Sequence, residues 1–268
     1  MPRPIVAAAA FLLAFVPVSA GAAHGSARSR ISHRWAGYVV RTASQSFTGV
    51  AGTWVEPSIV CNRPESSSAF WVGLGGASSD SRALEQIGTV ADCSDRALPS
   101  HSAWYELFPS PPVELPLRIT PGDVVSAEVD IRAKTVTVAL RNISTGRSFS
   151  TGVPTTSPES DSAEWIVEAP SACLVLGCEP LPLASFSSVR FTRATVSAGV
   201  HEGSISDPVW VPEQLEMAPL RGTLSARASS LSGDGSSFSV TCSGRRVRRP
   251  VVRVANPASW ATVTPWSR

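Results

Sequence analysis

The stretch Ser162-Ala163-Glu164-Trp165-Ile166-Val167-Glu168 reads as a β-strand. Successive side chains of a strand point to opposite faces. Glu164, Ile166 and Glu168 therefore share one face, and Trp165 and Val167 share the other. The second face belongs in a core. The first sets two carboxylates around an isoleucine, which suits either the lining of a cleft or a solvent-facing surface. Pattern alone favours solvent, because half-exposed antiparallel strands are the rule.

Similar alternation or short apolar runs recur on both sides of this stretch, between turn signals. Strands are predicted over Arg34–Arg41, Gly49–Val55, Ser68–Leu74, Leu84–Val90, Ser102–Phe108, Leu115–Thr120, Val124–Ile131, Thr135–Asn142, Ser162–Glu168, Val189–Val200 and Ser236–Cys242. Arg132-Ala133-Lys134 would turn a hairpin. Pro208, Pro212 and Pro219 mark Asp207–Leu220 as irregular or at a sheet edge. No window after the N-terminal segment holds a helical stripe free of Pro and Gly. So many strands point to an all-β fold, a sandwich of two sheets or a barrel. On some strands a polar group shares a face with bulky residues: Gln86 with Leu84, and Glu106 with Trp104.

The chain has 268 residues, with 43% hydrophobic and 16% charged, enough apolar material for a sizeable core. All 21 acidic residues lie between Glu56 and Asp234, leaving residues 29–244 with 15 basic residues and a net negative charge. A basic nucleic-acid-binding face is poorly supported. Met1-Pro2-Arg3, the apolar run Ile5–Val18 and the small residues around Ala20 and Ala23 form the pattern of a secretory signal peptide, assigned to residues 1–23. The apolar run is too short for an integral span. Residues 24–244 form the expected domain and 245–268 an Arg-rich tail, with a terminal strand through Val247–Val254 as the other reading.

Export permits disulfides. Cys173 and Cys178 are close enough to pin one loop, and Cys61 and Cys93 flank the strands within 66–90, leaving Cys242 over. Connectivity does not follow from spacing, and some of these could instead be buried thiols.

HExxH, GxSxG, Asp-Thr/Ser-Gly and Gly-rich phosphate loops are absent. Lys134 is the only lysine and has no serine three residues before it. His101 and His201 read as structural or exposed. What remains is carboxylates, amides and tryptophans on strands.

Six segments in order resemble the eqolisins, the glutamic peptidases that include scytalidoglutamic and aspergilloglutamic peptidase, in a bacterial-type secreted form. They are Trp35-Ala36-Gly37, Gly52-Thr53-Trp54-Val55, Phe70-Trp71-Val72-Gly73-Leu74-Gly75-Gly76, Glu85-Gln86-Ile87-Gly88, Ala103-Trp104-Tyr105-Glu106 and Ala163-Glu164-Trp165-Ile166-Val167-Glu168. The resemblance implies a concanavalin-like sandwich of two curved antiparallel sheets, with a cleft on one concave face. It places the catalytic pair on Gln86 and Glu164. Trp35, Gly37, Trp71, Trp104, Glu106 and Glu168 fall on cleft-lining positions, Glu168 being the rival to Glu164. Gly75 stands where fungal members usually have Asp. Only His24–Arg34 separates the signal from Trp35, too little for a long propeptide.

These residue types suit peptide hydrolysis. A carboxylate takes a proton from the attacking water and returns it to the leaving nitrogen. A Gln amide stabilises the oxyanion without titrating. A Glu base stays ionised at moderately acidic pH. The expected activity is that of a secreted acid endopeptidase acting on proteins or peptides as a monomer, with no metal or organic cofactor. An inactive relative or a carbohydrate-binding sandwich, which also uses Trp platforms and paired carboxylates, is the alternative.

Overall fold

The computed structural model describes residues 28–42, 46–174, 177–218 and 224–244. The signal peptide expected over 1–23 and the tail expected over 245–268 lie outside the described residues, as do the side chains of Cys173 and Cys178. In chain order the strands are β1 (Arg28–Ser32), β2 (Trp35–Arg41), β3 (Gly49–Val55), β4 (Ile59–Val60), β5 (Ser66–Gly75), β6 (Leu84–Cys93), β7 (Pro99–Phe108), β8 (Val113–Leu115), β9 (Val124–Arg132), β10 (Thr135–Asn142), β11 (Arg147–Pro154), β12 (Ser162–Glu168), β13 (Ser171–Leu174), β14 (Gly177–Pro180), β15 (Ser185–Phe186), β16 (Ser188–Ala198), β17 (His201–Ser204), β18 (Val211–Met217), β19 (Leu224–Ala228) and β20 (Phe238–Gly244).

Sixteen of these bond into one ladder of order β11-β10-β9-β3-β16-β20-β19-β18-β2-β12-β5-β6-β7-β8, with β1 added to β18 and β17 to β16. The strand pairs β13–β14 and β15–β4 form two small sheets. Among the described strands every pairing is antiparallel except β1 with β18. The ladder folds over on itself, so that β3, β9 and β10 pack against β5 and β6. The two layers expected of a sandwich are thus halves of one nearly closed sheet.

Alternation decides what each layer gives to the core. Tyr38, Val40, Phe70, Val72, Leu74, Ile87, Trp165 and Val167 from one layer meet Trp54, Val125, Val129, Val138, Phe191 and Val240 from the other, all buried. The Trp165 indole N–H donates to the Ala51 carbonyl across the layers at 2.8 Å. The opposite face of β2, β12, β5, β6 and β7 carries a second, smaller apolar cluster built on Val39, Ala69, Trp71, Val90, Trp104, Ile166 and Leu215.

Two glycines let the strands of this layer run together. Gly37 has φ +150°, and a Cβ there would sit 2.0 Å from the Trp165 carbonyl oxygen. At Gly88 a Cβ would come within 2.1 Å of the Phe70 carbonyl oxygen and 2.6 Å of Trp71 Cβ.

Cys61 and Cys93 form a disulfide, and Cys242 is a free, half-buried thiol. Backbone pairing sets Cys173 directly opposite Cys178. Two expectations need correction. Within the stretch expected to be irregular or at an edge, Asp207–Trp210 is a turn, but Val211–Met217 is β18, an interior strand between β2 and β19. Pro212 is accommodated ahead of Glu213–Met217, the part that pairs with β1. The strand expected over Leu115–Thr120 ends at Leu115, because Pro116 has no N–H to give the ladder. Leu117 and Ile119 still enter the core.

Candidate active site

The register aligns the candidate residues in rows across the second face. Glu164 of β12 pairs with Val39 of β2 and with Gly73 of β5. Gly73 pairs with Gln86 of β6, and Gln86 with Glu106 of β7. The next row runs Gly37, Ile166, Trp71, Gly88 and Trp104, and the one after it begins Trp35, Glu168 and Ala69. All eight residues expected at the site therefore lie on one face. Glu164 and Gln86 are two strands apart, about 10 Å between backbones, with a glycine between them. A Cβ on Gly73 would meet the Trp71 ring at 3.0 Å and Leu84 Cδ1 at 3.2 Å. The bare position lets Trp71 lean between the two polar groups.

Gln86 Nε2 donates to Glu106 Oε2 at 2.6 Å, which orients the amide. Its Oε1 has no partner. Glu164 is fully buried, and neither carboxylate oxygen has a hydrogen-bond partner. Burial holds its pKa well above the usual carboxylate range; the nearby Ser162 hydroxyl and then the Arg41 charge oppose this, and Asp161 and Glu85 add to it. Glu106 is pushed up to about 7, first by burial and then by the Glu168 charge, while its bond to Gln86 works the other way. Glu168 accepts the Trp71 indole N–H at 2.9 Å. Burial raises its pKa also, with the Arg34 charge and the nearby indoles of Trp35 and Trp71 opposing. Trp35 packs edge-on against Trp71, ring centroids 5.1 Å apart. The indole nitrogens of Trp35 and Trp104 are buried without partners.

Glu164 and Glu168, rivals from sequence, differ in surroundings. Glu168 is tied to an indole, whereas Glu164 has both oxygens free and stands in the row of Gln86. Unsatisfied buried polar atoms are scarce in folded proteins and mark places where a ligand or water belongs. Here they concentrate on one sheet face.

Two neighbours of this row were not singled out from sequence. Arg41, on the same strand face as Val39, donates from Nη2 to the Ala77 carbonyl at 2.6 Å and from Nη1 to Ser78 Oγ at 3.3 Å. It thereby ties β2 to the loop between β5 and β6. The alternation Gly37, Val39, Arg41 was the available signal. Glu85 points away from the site into the sheet interior, 2% exposed, with Oε2 unpartnered. A carboxylate at a core position of a strand was visible beside Gln86.

His101 and His201 stand apart from this face. His101 Nδ1 lies 2.7 Å from Glu56 Oε1, and Thr89 donates to the other oxygen of that carboxylate at 2.6 Å, inside the sandwich. His201 pairs with Asp207 at 3.1 Å. Among the described residues no group of three or more His, Cys, Asp or Glu is placed to hold a metal ion, and no helix is long and apolar enough to cross a membrane.

Carboxylates, an amide and tryptophans thus converge on one sheet face. The model of the peptidase A4 family matches residues 33–230; the chain belongs to that family. Among solved structures it resembles scytalido-glutamic peptidase bound to a peptide-based transition-state analog, at 24% identity over 80% of this chain and 99% of that one, TM-score 0.65. It also resembles SCP-B, an eqolisin in complex with the tripeptide Ala-Ile-His, at 22% identity over 78% and 98%, TM-score 0.62. For aspergilloglutamic peptidase from Aspergillus niger the values are 26%, 65% and 98%, TM-score 0.51. The search of curated proteins gave no match.

Proposed function

We propose that the chain is a secreted endopeptidase that hydrolyses peptide bonds with a Glu164–Gln86 pair. The observation that carries this reading is the row Glu164–Gly73–Gln86–Glu106, in which a buried carboxylate without partners faces an oriented amide across a glycine. A water between them would give its proton to Glu164 as its oxygen attacks the scissile carbonyl. The Gln86 amide, held by Glu106, would donate to the oxyanion that forms. Glu164 would then return the proton to the leaving nitrogen. Glu106 acts as a positioning residue. Trp35, Gly37, Trp71, Trp104 and Glu168 line the peptide path.

Burial sets the working pH. Glu164 must be ionised to act as a base, and its proton affinity is raised. Activity therefore falls off in acid at a higher pH than an exposed glutamate, at about 4.3, would give.

The test is hydrolysis of a denatured protein from pH 3 to 8, with pepstatin and a chelator present. Gln86→Ala should lower kcat by on the order of 10² to 10³, and Glu164→Gln should abolish turnover while leaving the fold intact. Retained cleavage by folded Glu164→Gln would refute the assignment. No cleavage by the folded wild-type chain at any pH would favour a binding module.

A further inference from the structure

Resting on the peptidase reading, we propose that Glu159 is a positioning residue for the Glu164–Gln86 pair: its carboxylate clasps the loop that leads into Gln86 to the segment that leads into Glu164. Glu159 is half-buried and stands shortly before β12, the strand of Glu164. The loop is 76–83, between β5 and β6. Glu159 Oε1 accepts the Arg82 backbone N–H at 2.6 Å. Its Oε2 accepts the Ser81 hydroxyl, and that hydroxyl oxygen accepts the Gly76 N–H at 3.0 Å. One carboxylate thus holds both ends of the loop, Gly76 where it leaves β5 and Arg82 where it approaches β6. The Glu159 backbone also hydrogen-bonds the Glu85 carboxyl, one residue before Gln86. The segment lies so close that a Cβ on Gly75 would sit 2.8 Å from Glu159 Cβ and 2.9 Å from the Glu159 carbonyl oxygen.

The pair has need of such a tie. Glu164 and Gln86 stand on either side of Gly73, and neither Glu164 oxygen has a partner, so no side-chain bond joins the two. The loop gives little support of its own. After Gly76 it runs Ala-Ser-Ser-Asp-Ser-Arg-Ala, and within it only Ala77 is buried. With so little apolar contact its conformation rests on polar bonds. Those at its first half come from Arg41, which reaches the Ala77 carbonyl and Ser78, and from Asp161, whose Oδ2 accepts the Ser78 hydroxyl at 3.4 Å. Glu159 supplies two bonds at the half nearer Gln86. Loss of these bonds frees the entry to β6 to shift against the entry to β12. A misplacement of about 1 Å between reacting groups costs up to about 10²-fold in rate. Contacts to the rest of a bound peptide stay in place, so the loss belongs in kcat rather than KM.

Two experiments test this. In the first, kcat and KM of wild type, Glu159→Ala, Glu159→Gln and Asp80→Ala are compared on one peptide substrate. Glu159→Ala should lower kcat by on the order of 10-fold and change KM by less than about 2-fold. Glu159→Gln keeps one acceptor oxygen and should recover part of the loss; it also carries the comparison if the alanine variant does not fold. Asp80→Ala, at the exposed tip of the same loop, should match wild type. In a Gln86→Ala background Glu159→Ala should cost almost nothing more, because no amide remains to be positioned. In the second, amide hydrogen exchange is followed by mass spectrometry on the same proteins. Glu159→Ala should speed exchange over 76–83 and leave the β9–β10 hairpin unchanged. Wild-type kcat in folded Glu159→Ala, a loss carried by KM, or an equal loss with and without Gln86 overturns the positioning role and keeps the peptidase. No cleavage by the folded wild-type chain overturns the peptidase reading and the positioning role with it. Exchange then decides the clasp alone: faster exchange over 76–83 in Glu159→Ala supports it, and unchanged exchange overturns it too.

Discussion

Glu85→Gln should stabilise the protein at neutral pH and do nothing to it in acid. Glu85 is 2% exposed, on the core-facing side of β6, with Oε2 unpartnered. Its pKa is pushed from 4.5 up to about 8, chiefly by burial and further by the Glu159 charge, with backbone hydrogen bonds opposing. The sign follows from proton counts. Between pH 4.5 and 8 the folded protein keeps a proton at Glu85 that the unfolded chain has released. Stability therefore falls as pH rises through that window, by up to about 1.4 kcal/mol per unit. At pH 4 the residue is mostly neutral in both states and contributes little slope. At pH 7 the accumulated loss is about 3 kcal/mol, and above pH 8 it levels off near about 5 kcal/mol, both upper estimates. Glutamine keeps the shape and cannot ionise, so the variant should escape this loss.

The assay is urea unfolding of wild type and Glu85→Gln at half-unit steps from pH 4 to 8.5. Glu106, at about 7, adds a slope of its own, but it is common to both proteins and cancels in the difference. The difference should be near zero at pH 4, open through pH 5 and 6, and reach a few kcal/mol at pH 7. Peptide cleavage at pH 5 should be unaltered, since Glu85 is already protonated there and lies off the site face. Parallel stability curves would refute the reasoning, and so would a variant destabilised equally at every pH.

Two further outcomes follow from neighbouring contacts. Arg41→Met removes the positive charge that opposes protonation of Glu164. The acid limb of kcat/KM should move to higher pH by on the order of one unit, while Arg41→Lys should move it less; an unmoved limb in both would show that Arg41 serves only the Ala77 loop. Cys61 and Cys93 close a loop of sequence separation 32 at the foot of the β5–β6 pair, worth about 3.7 kcal/mol of chain entropy. Replacing both by Ser should lower Tm by roughly 7–15 °C in calorimetry, and a drop under about 2 °C would refute it.

The faces of strands were legible because period two is a local property. Thr135–Asn142 and Ser162–Glu168 have the bounds read from sequence, and the opposed placement of Glu164 and Trp165 follows from alternation alone. Strands that gave no alternation were lost. Arg147–Pro154 is rich in Ser, Thr and Gly and exposed along one side, and Val211–Met217 hides an interior strand behind Pro212. Closure of the two layers into one ladder was not legible, because it depends on β18 finding β2 and β19, a pairing between distant segments that no local pattern encodes. The site divides the same way. Gln86 and Glu164 were picked by motif, but that they share a row across Gly73 is a fact of register.

Register also explains why the same row attracts uncompensated charge. Two strands, β12 and β7, bring three carboxylates, Glu164, Glu168 and Glu106, to one small face, and a fourth, Glu85, sits on the other side of β6 next to Gln86. Such an arrangement weakens the fold as pH rises, for the reason worked out at Glu85. A stable sandwich would gain by replacing each of these groups with an apolar residue of similar size. Their presence together, next to an unpaired amide oxygen and two unpaired indoles, is the form that stability given up for function takes. It separates the two classes of buried polar residue in this molecule. Glu56 has His101 and Thr89 bonded to its two oxygens, as a structural residue would; Glu164 has no such bonds, which fits the catalytic role proposed for it. Substitution of Glu56 should therefore cost folding, whereas Glu164→Gln should cost turnover and leave or raise stability at neutral pH.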